Sequence, residues 1–226
     1  MKILELLEAE FETRQTQKQF DKSFDDEKDI RNLKNIRNLK NSTKASIGAG
    51  RYGRVYNTND PHTIIKRNHL AANPDKDGYY LYVTEIIKSG IAKTNPYFPR
   101  FYNIKTFKDK SGHIKYRFEM ERLHTAKEVG DEIIYAITEQ LFGEEAIKKF
   151  DSKYFGRNTV SRLSEMMEIY LFTKTPNVSD EKFMEAINFI RENVIKKYNL
   201  SSDLHSENIM FRLSPYPQVV ITDPVQ

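Results

Sequence analysis

Asp203, Asn208 and Asp223 have side chains and spacing suited to chemistry. The first two lie in Ser201-Ser202-Asp203-Leu204-His205-Ser206-Glu207-Asn208-Ile209-Met210-Phe211, and the third in Val219-Val220-Ile221-Thr222-Asp223-Pro224-Val225. An Asp five residues before an Asn, then a short apolar hairpin and a second Asp, is an arrangement that metal-assisted phosphoryl transfer requires. Asp203 would orient an attacking hydroxyl and accept its proton. The Asn208 amide and the Asp223 carboxylate would hold Mg²⁺ against nucleotide phosphates. Asp and Asn are also ordinary turn formers, so the reading depends on what lies upstream.

Upstream, Gly48-Ala49-Gly50-Arg51-Tyr52-Gly53-Arg54-Val55-Tyr56 follows Ile47 and fits G-x-G-x-x-G-x-V throughout. Glycines in a tight turn let backbone N–H groups approach phosphate oxygens where a Cβ would clash. The same glycine spacing opens dinucleotide-binding folds, but there a helix follows, with an acidic residue about 20 positions on. Here β-prone Val55 and Tyr56 follow, then a turn at Asn59-Asp60-Pro61, then a second short strand, Thr63-Ile64-Ile65-Lys66. Strand, glycine turn, strand, turn and strand is expected, with Lys66 closing a stretch of the V-A-I-K type whose Lys binds nucleotide phosphates.

A helix is expected over Tyr79–Ser89, from apolar Tyr79, Leu81, Tyr82, Val83, Ile86 and Ile87. Glu85 is its only acid, so the expectation is either an ion pair with Lys66 or a solvated helix carboxylate. Two strands, Phe101–Phe107 and Ile114–Met120, flank the turn Lys108–Gly112. The second runs into Met120-Glu121-Arg122-Leu123. That segment reads as a hinge with Met120 beside the adenine and backbone contacts from Glu121 to Leu123, or as a strand leaving a sheet.

These parts, in this order over roughly residues 46–225, make the chain resemble the protein-kinase-like fold. It is most similar to small serine/threonine kinases encoded by bacteriophages, above all over Ser201–Val225. The resemblance implies an α+β, two-lobed enzyme that uses ATP and Mg²⁺. Lys66 would be the phosphate lysine, Glu85 its partner and Asp203 the catalytic base. Asn208 and Asp223 would be the metal ligands. Ile47, Gly48, Gly50, Gly53, Val55, Met120, Glu121 and Leu123 would surround the nucleotide.

Departures from that pattern carry information too. Ser202 stands where many protein kinases have an Arg that reads activation-loop phosphorylation, so that control is not expected. His205 stands where a Lys usually steadies the transferring phosphate, and a His there resembles aminoglycoside and other small-molecule kinases. Pro-Val rather than Phe-Gly follows Asp223, and the sequence ends three residues after it. The helical lobe is therefore expected to be truncated after the metal-binding Asp, without an activation segment. Three readings follow. One is a serine/threonine kinase acting on host proteins or itself. The second is a kinase with a small-molecule acceptor, and the third is a nucleotide-binding pseudokinase that serves as an interaction module. A zinc site at His205 is disfavoured because no second His is local.

The remaining features set the frame. The 226 residues can hold one two-lobed unit with an arm. The expected division is an arm over 1–45, a small nucleotide-binding lobe over 46–123 and a helical lobe over 124–226. The absence of cysteine fits a reducing compartment, and no run approaches 18 apolar residues. The start, Met1-Lys2-Ile3-Leu4-Glu5-Leu6-Leu7-Glu8, is too acidic for a secretory signal. A cytoplasmic protein is therefore expected, in the host cytoplasm if phage-encoded. Net charge is +4, from 36 basic and 32 acidic residues, which reflects solvated Lys-rich faces more than a nucleic-acid surface. Within the arm an amphipathic helix is expected over residues 1–20. A repeat follows, Ile30-Arg31-Asn32-Leu33-Lys34-Asn35 and Ile36-Arg37-Asn38-Leu39-Lys40-Asn41. It would pack on the small lobe, or touch nucleic acid or an acidic partner. Residues 125–200 read as helical, with helices at Asp131–Leu141, Val160–Phe172 and Ser179–Tyr198 and a connection at Phe150–Gly156.

Overall fold

The computed structural model describes residues 47–49, 53–68, 73, 75–108, 112–153, 156–173, 178 and 180–226. The expected arm, its repeat, and Gly50 of the glycine motif lie outside the described residues. The chain from Ser46 onward forms one compact unit of α+β type.

Five strands build its sheet: β1 (Gly48–Ala49), β2 (Gly53–Asn57), β3 (Thr63–Asn68), β4 (Phe101–Lys108) and β5 (Ile114–Glu121). Their spatial order is β1-β2-β3-β5-β4, and every neighbouring pair is antiparallel. The pleat alternates side chains between faces. In β5 this buries Ile114, Tyr116, Phe118 and Met120 and turns Arg117 out to solvent. A one-residue slip would reverse every one of these, so the apolar face sets the register. That register puts Lys66 opposite Val55 on one side and Phe118 on the other.

Helix α1 (Gly78–Ser89) follows β3. Val83, Thr84, Ile86 and Ile87 are poor helix formers, each costing about half a kcal/mol against Ala. Burial outweighs this: Tyr82, Val83 and Ile86 are at most 1% exposed, and full burial stabilises by roughly 1.5–3 kcal/mol per side chain. The Asp77 carboxylate caps the helix by accepting from the Tyr80 amide at 2.8 Å, and Gly90 ends it at φ +67°.

Helices α2 (Ala126–Val129), α3 (Asp131–Phe142), α4 (Glu144–Lys153), α5 (Thr159–Phe172) and α6 (Glu181–Phe189) follow the sheet in the chain. α6 continues as a π-helical segment, Ile190–Lys196. α4 corrects one expectation, because Phe150–Lys153 is helix rather than connection. Its buried side chains are Ile147 and Phe150, one turn apart, and the charged residues around them hide that stripe in the sequence. Phe142 joins three of these helices. It stacks on Tyr170 at 5.0 Å and meets Phe183 edge-on at 5.6 Å.

The hairpin of β6 (Ile209–Arg212) and β7 (Gln218–Ile221) matches the expected apolar hairpin. Phe211, Val219, Val220 and Ile221 are fully buried. The hydroxyl of Tyr82 in α1 donates to the Ile221 carbonyl at 2.7 Å, which ties that helix to the strand leading into Asp223. Among the described residues no helix is long and apolar enough to cross a membrane.

Candidate active site

Backbone pairing assembles the site before any side chain takes part. Asp203 N donates to Pro224 O at 2.8 Å, and Ser201 and Gln226 exchange bonds at 3.2 and 3.1 Å. The Asn208 carbonyl accepts from three groups: Thr222 N at 3.0 Å, Thr222 Oγ1 at 2.8 Å and Asp223 N at 3.3 Å. The loop carrying Asp203 and Asn208 is thus fastened on both sides to the segment carrying Asp223.

Within that loop the Asn208 side-chain nitrogen donates to Asp203 O at 2.6 Å and to Asp203 Oδ2 at 3.1 Å. Held by these partners, the amide nitrogen faces the loop, which leaves its oxygen as the atom to offer to a cation. His205 is exposed, with Nε2 3.7 Å from Asp203 Oδ1. The Glu207 amide donates to His205 Nδ1 at 3.2 Å, and the Asn208 side-chain nitrogen lies 3.0 Å from His205 Nε2. His205 therefore braces the loop as well as bordering Asp203.

Lys66 reaches the same place from the sheet. Its Nζ lies 3.1 Å from Asp223 Oδ2, although the two residues are 157 apart in sequence. The ammonium also sits 3.4 Å from the centre of the Tyr79 ring. Loss of solvent pushes the Asp223 carboxyl up from its ordinary value, against the pull of Lys66, and the nearby Asp203 charge pushes the same way. Asp77, one turn from Tyr80, is raised for the same leading reason, burial, and also senses Asp223 and Lys66.

Glu85 is not the partner of Lys66. Its carboxylate accepts from Lys197 Nζ at 2.8 Å and Tyr198 Oη at 2.5 Å, with Lys88 at 3.8 Å. Burial works against the Glu85 charge, but these donors outweigh it and hold its pKa below the ordinary value. Helix geometry explains the miss. Tyr79 faces Lys66, and six residues along a helix means about 9 Å of rise and roughly 240° of rotation. Glu85 therefore points to the C-terminal end of the segment that follows α6.

The remaining expected positions divide. Ile47 donates its amide to Val55 O at 2.9 Å, and both side chains stay partly exposed on the β1–β2 pair. Gly53 runs so close to β3 that an added Cβ would lie 3.1 Å from Arg67 O. Met120 is buried, with Sδ 3.8 Å from Tyr79 Oη. The Glu121 carboxylate is buried against Arg212, so only its backbone borders the hinge. At the hinge the amides of Glu121, Arg122 and His124 donate to Arg100 O, His62 O and Phe211 O. Leu123 is buried.

Sequence reasoning missed Asp77, Tyr79 and Arg212. Asp77-Gly78 ahead of an apolar run is a cap signal that would have found the first. Nothing local marks the other two.

The donor set fits Mg²⁺. The Asp223 carboxylate and the Asn208 oxygen are hard oxygen donors, and Mg²⁺ commonly takes one or two protein ligands with substrate phosphates and water completing the shell. Among the described residues no three His, Asp or Glu side chains form a complete protein cage, which such a shared shell does not need. Comparison with protein-family models and with curated proteins finds no match for this chain.

Proposed function

We propose that this chain is a kinase-like phosphotransferase that uses ATP and Mg²⁺, most similar to the small phage-encoded serine/threonine kinases. One observation carries the reading. A strand lysine, Lys66, meets the second aspartate, Asp223, at 3.1 Å across 157 residues, beside a loop whose Asn208 is hydrogen-bonded to Asp203. The antiparallel sheet, the helix after its third strand and the catalytic-type loop followed by a hairpin support it further.

In this reading the Asn208 oxygen and Asp223 would hold Mg²⁺, which would supply charge neutralisation at the phosphates. Lys66 binds phosphate oxygens and the β1–β2 pair covers them. Asp203 aligns an acceptor hydroxyl. The hydroxyl oxygen bonds to the γ-phosphorus as the bond to the β,γ-bridging oxygen breaks. ADP leaves with that electron pair, and the hydroxyl proton passes to Asp203. Positioning and charge placement do the catalytic work.

A small-molecule acceptor is the second reading, and a cavity favours it. A space of about 420 Å³ opens beside the Asp203 loop, lined by His205, Ser206, Ser161, Glu165, Glu168 and Ile169 among others. Purified protein with γ-labelled ATP, alone and with a host lysate, separates the readings. Label on protein supports a protein kinase and label on small molecules supports the second reading. Label on neither leaves a nucleotide-binding module and overturns both.

A further inference from the structure

We propose that Tyr79 is the positioning residue for Lys66, in the place that an acid on this helix would otherwise fill. This rests on the phosphate-binding reading of Lys66.

The geometry is specific. The Lys66 ammonium stands 3.4 Å from the Tyr79 ring centre, inside the range in which a ring quadrupole attracts a cation. The ring is itself fixed. It is 6% exposed and meets Phe118 edge-on at 5.7 Å and Tyr116 at 6.0 Å, and its hydroxyl points to Met120 Sδ. Its backbone is fixed as well. The helix starts one residue earlier at Gly78, where an added Cβ would lie 2.8 Å from Val225 O. Asp77 caps the same turn. The only acid of the helix, Glu85, is held by Lys197 and Tyr198.

Two physical consequences favour a ring in this position. Asp223, the other partner of Lys66, is claimed by the metal in the proposed reaction, whereas among the described residues no second cation stands over the ring face. A neutral ring also orients the ammonium without cancelling its charge, so the full charge remains for phosphate. Burial keeps the Tyr79 phenol neutral by pushing its pKa well above the ordinary value.

Two measurements test this on the full chain. With ¹³C-labelled lysine, the ε-CH₂ signal of Lys66, assigned by its loss in Lys66→Met, should be shifted upfield by the ring. Tyr79→Phe should keep that shift and Tyr79→Leu abolish it. In Mg·ATP binding by calorimetry, Tyr79→Phe should stay near wild type. Tyr79→Leu should weaken affinity about 5- to 30-fold, but change it by less than about 2-fold in a Lys66→Met background. A purely structural role would weaken both backgrounds alike and overturn the proposal. If Tyr79→Leu does not fold, Tyr79→pentafluorophenylalanine keeps the shape, reverses the ring quadrupole and should weaken binding similarly. Unchanged affinity there also overturns it. Absent Mg·ATP binding by wild type, with the Lys66 upfield shift intact, removes the phosphate reading and reduces Tyr79–Lys66 to a packing contact. An unshifted Lys66 signal with normal ATP binding rejects Tyr79 alone.

Discussion

Arg212 and Glu121, 91 residues apart, form a buried ion pair that joins β6 to the end of β5. Arg212 Nε donates to Glu121 Oε2 at 2.9 Å, and its Nη2 donates to Oε1. The guanidinium also reaches Pro96 O at 2.6 Å and Phe98 O at 3.2 Å, while Glu121 Oε1 accepts from Arg100 N at 2.9 Å. Both side chains are 9% exposed. A planar five-donor fork suits this task, and a lysine would leave acceptors unfilled.

Removing one member strands the other in the interior. Arg212→Met should cost about 3–5 kcal/mol. Adding Glu121→Leu should recover part of that loss, because the orphaned charge is then gone. Urea denaturation of the three variants measures it, and a double variant as unstable as the sum of the singles would refute the buried-pair account.

Gly78→Ala tests the contact between α1 and the segment after Asp223. In an open helix the change would stabilise by about 1 kcal/mol. Here the new Cβ meets backbone, Val225 O at 2.8 Å and Gln226 Cα at 3.1 Å, which cannot swing aside as a side chain can. We expect a net loss of about 1–3 kcal/mol, together with a smaller thermal shift on adding Mg·ATP. A rise in melting temperature would contradict the contact.

Glu85→Gln separates the helix anchor from the site. The Glu85 pKa is depressed, so its stabilisation is complete above the ordinary value of 4.5 and is lost as pH falls through the depressed one. At neutral pH the variant should lose about 1 kcal/mol, because Lys197 is half exposed and solvent screens the pair. The gap to wild type should close in acid. The Mg·ATP-induced thermal shift should survive; its loss would return Glu85 to the nucleotide site.

For Asp223 the sign reverses. Its folded-state pKa is raised, so the folded chain holds that proton more tightly than the unfolded chain. Ionisation therefore lowers stability as pH climbs from the ordinary 3.8 through the raised value. In EDTA, the stability of Asp223→Asn relative to wild type should increase across that window, while metal-dependent nucleotide binding falls. Urea midpoints at about pH 4 and 7 bracket the change, and a pH-independent difference would argue against it.

Asp203→Asn should retain the Mg·ATP thermal shift and lose phosphoryl transfer by about 10²–10⁴-fold, since a proton acceptor is removed with little change of shape. Near-normal turnover would exclude Asp203 as the base.

Local patterns determined much of this molecule. Period-two alternation marks β5, and apolar spacing marks α1 and α5 to within a residue or two of their observed ends. The Asp203–Asn208 spacing is itself a geometric statement, because a five-residue turn lets the Asn amide return to the Asp. Partner choice was different. Glu85 looked like the mate of Lys66 because it is the only acid in its helix, but rotation about the helix axis delivers it to Lys197 and Tyr198. Arg212 reads as one more surface cation until the hairpin is packed, and Tyr79 as one more core aromatic until β3 brings Lys66 over its face. Spacing along the chain sets which face a side chain occupies. What that face meets depends on the packing of elements 91 to 157 residues apart, and only the tertiary structure decides it.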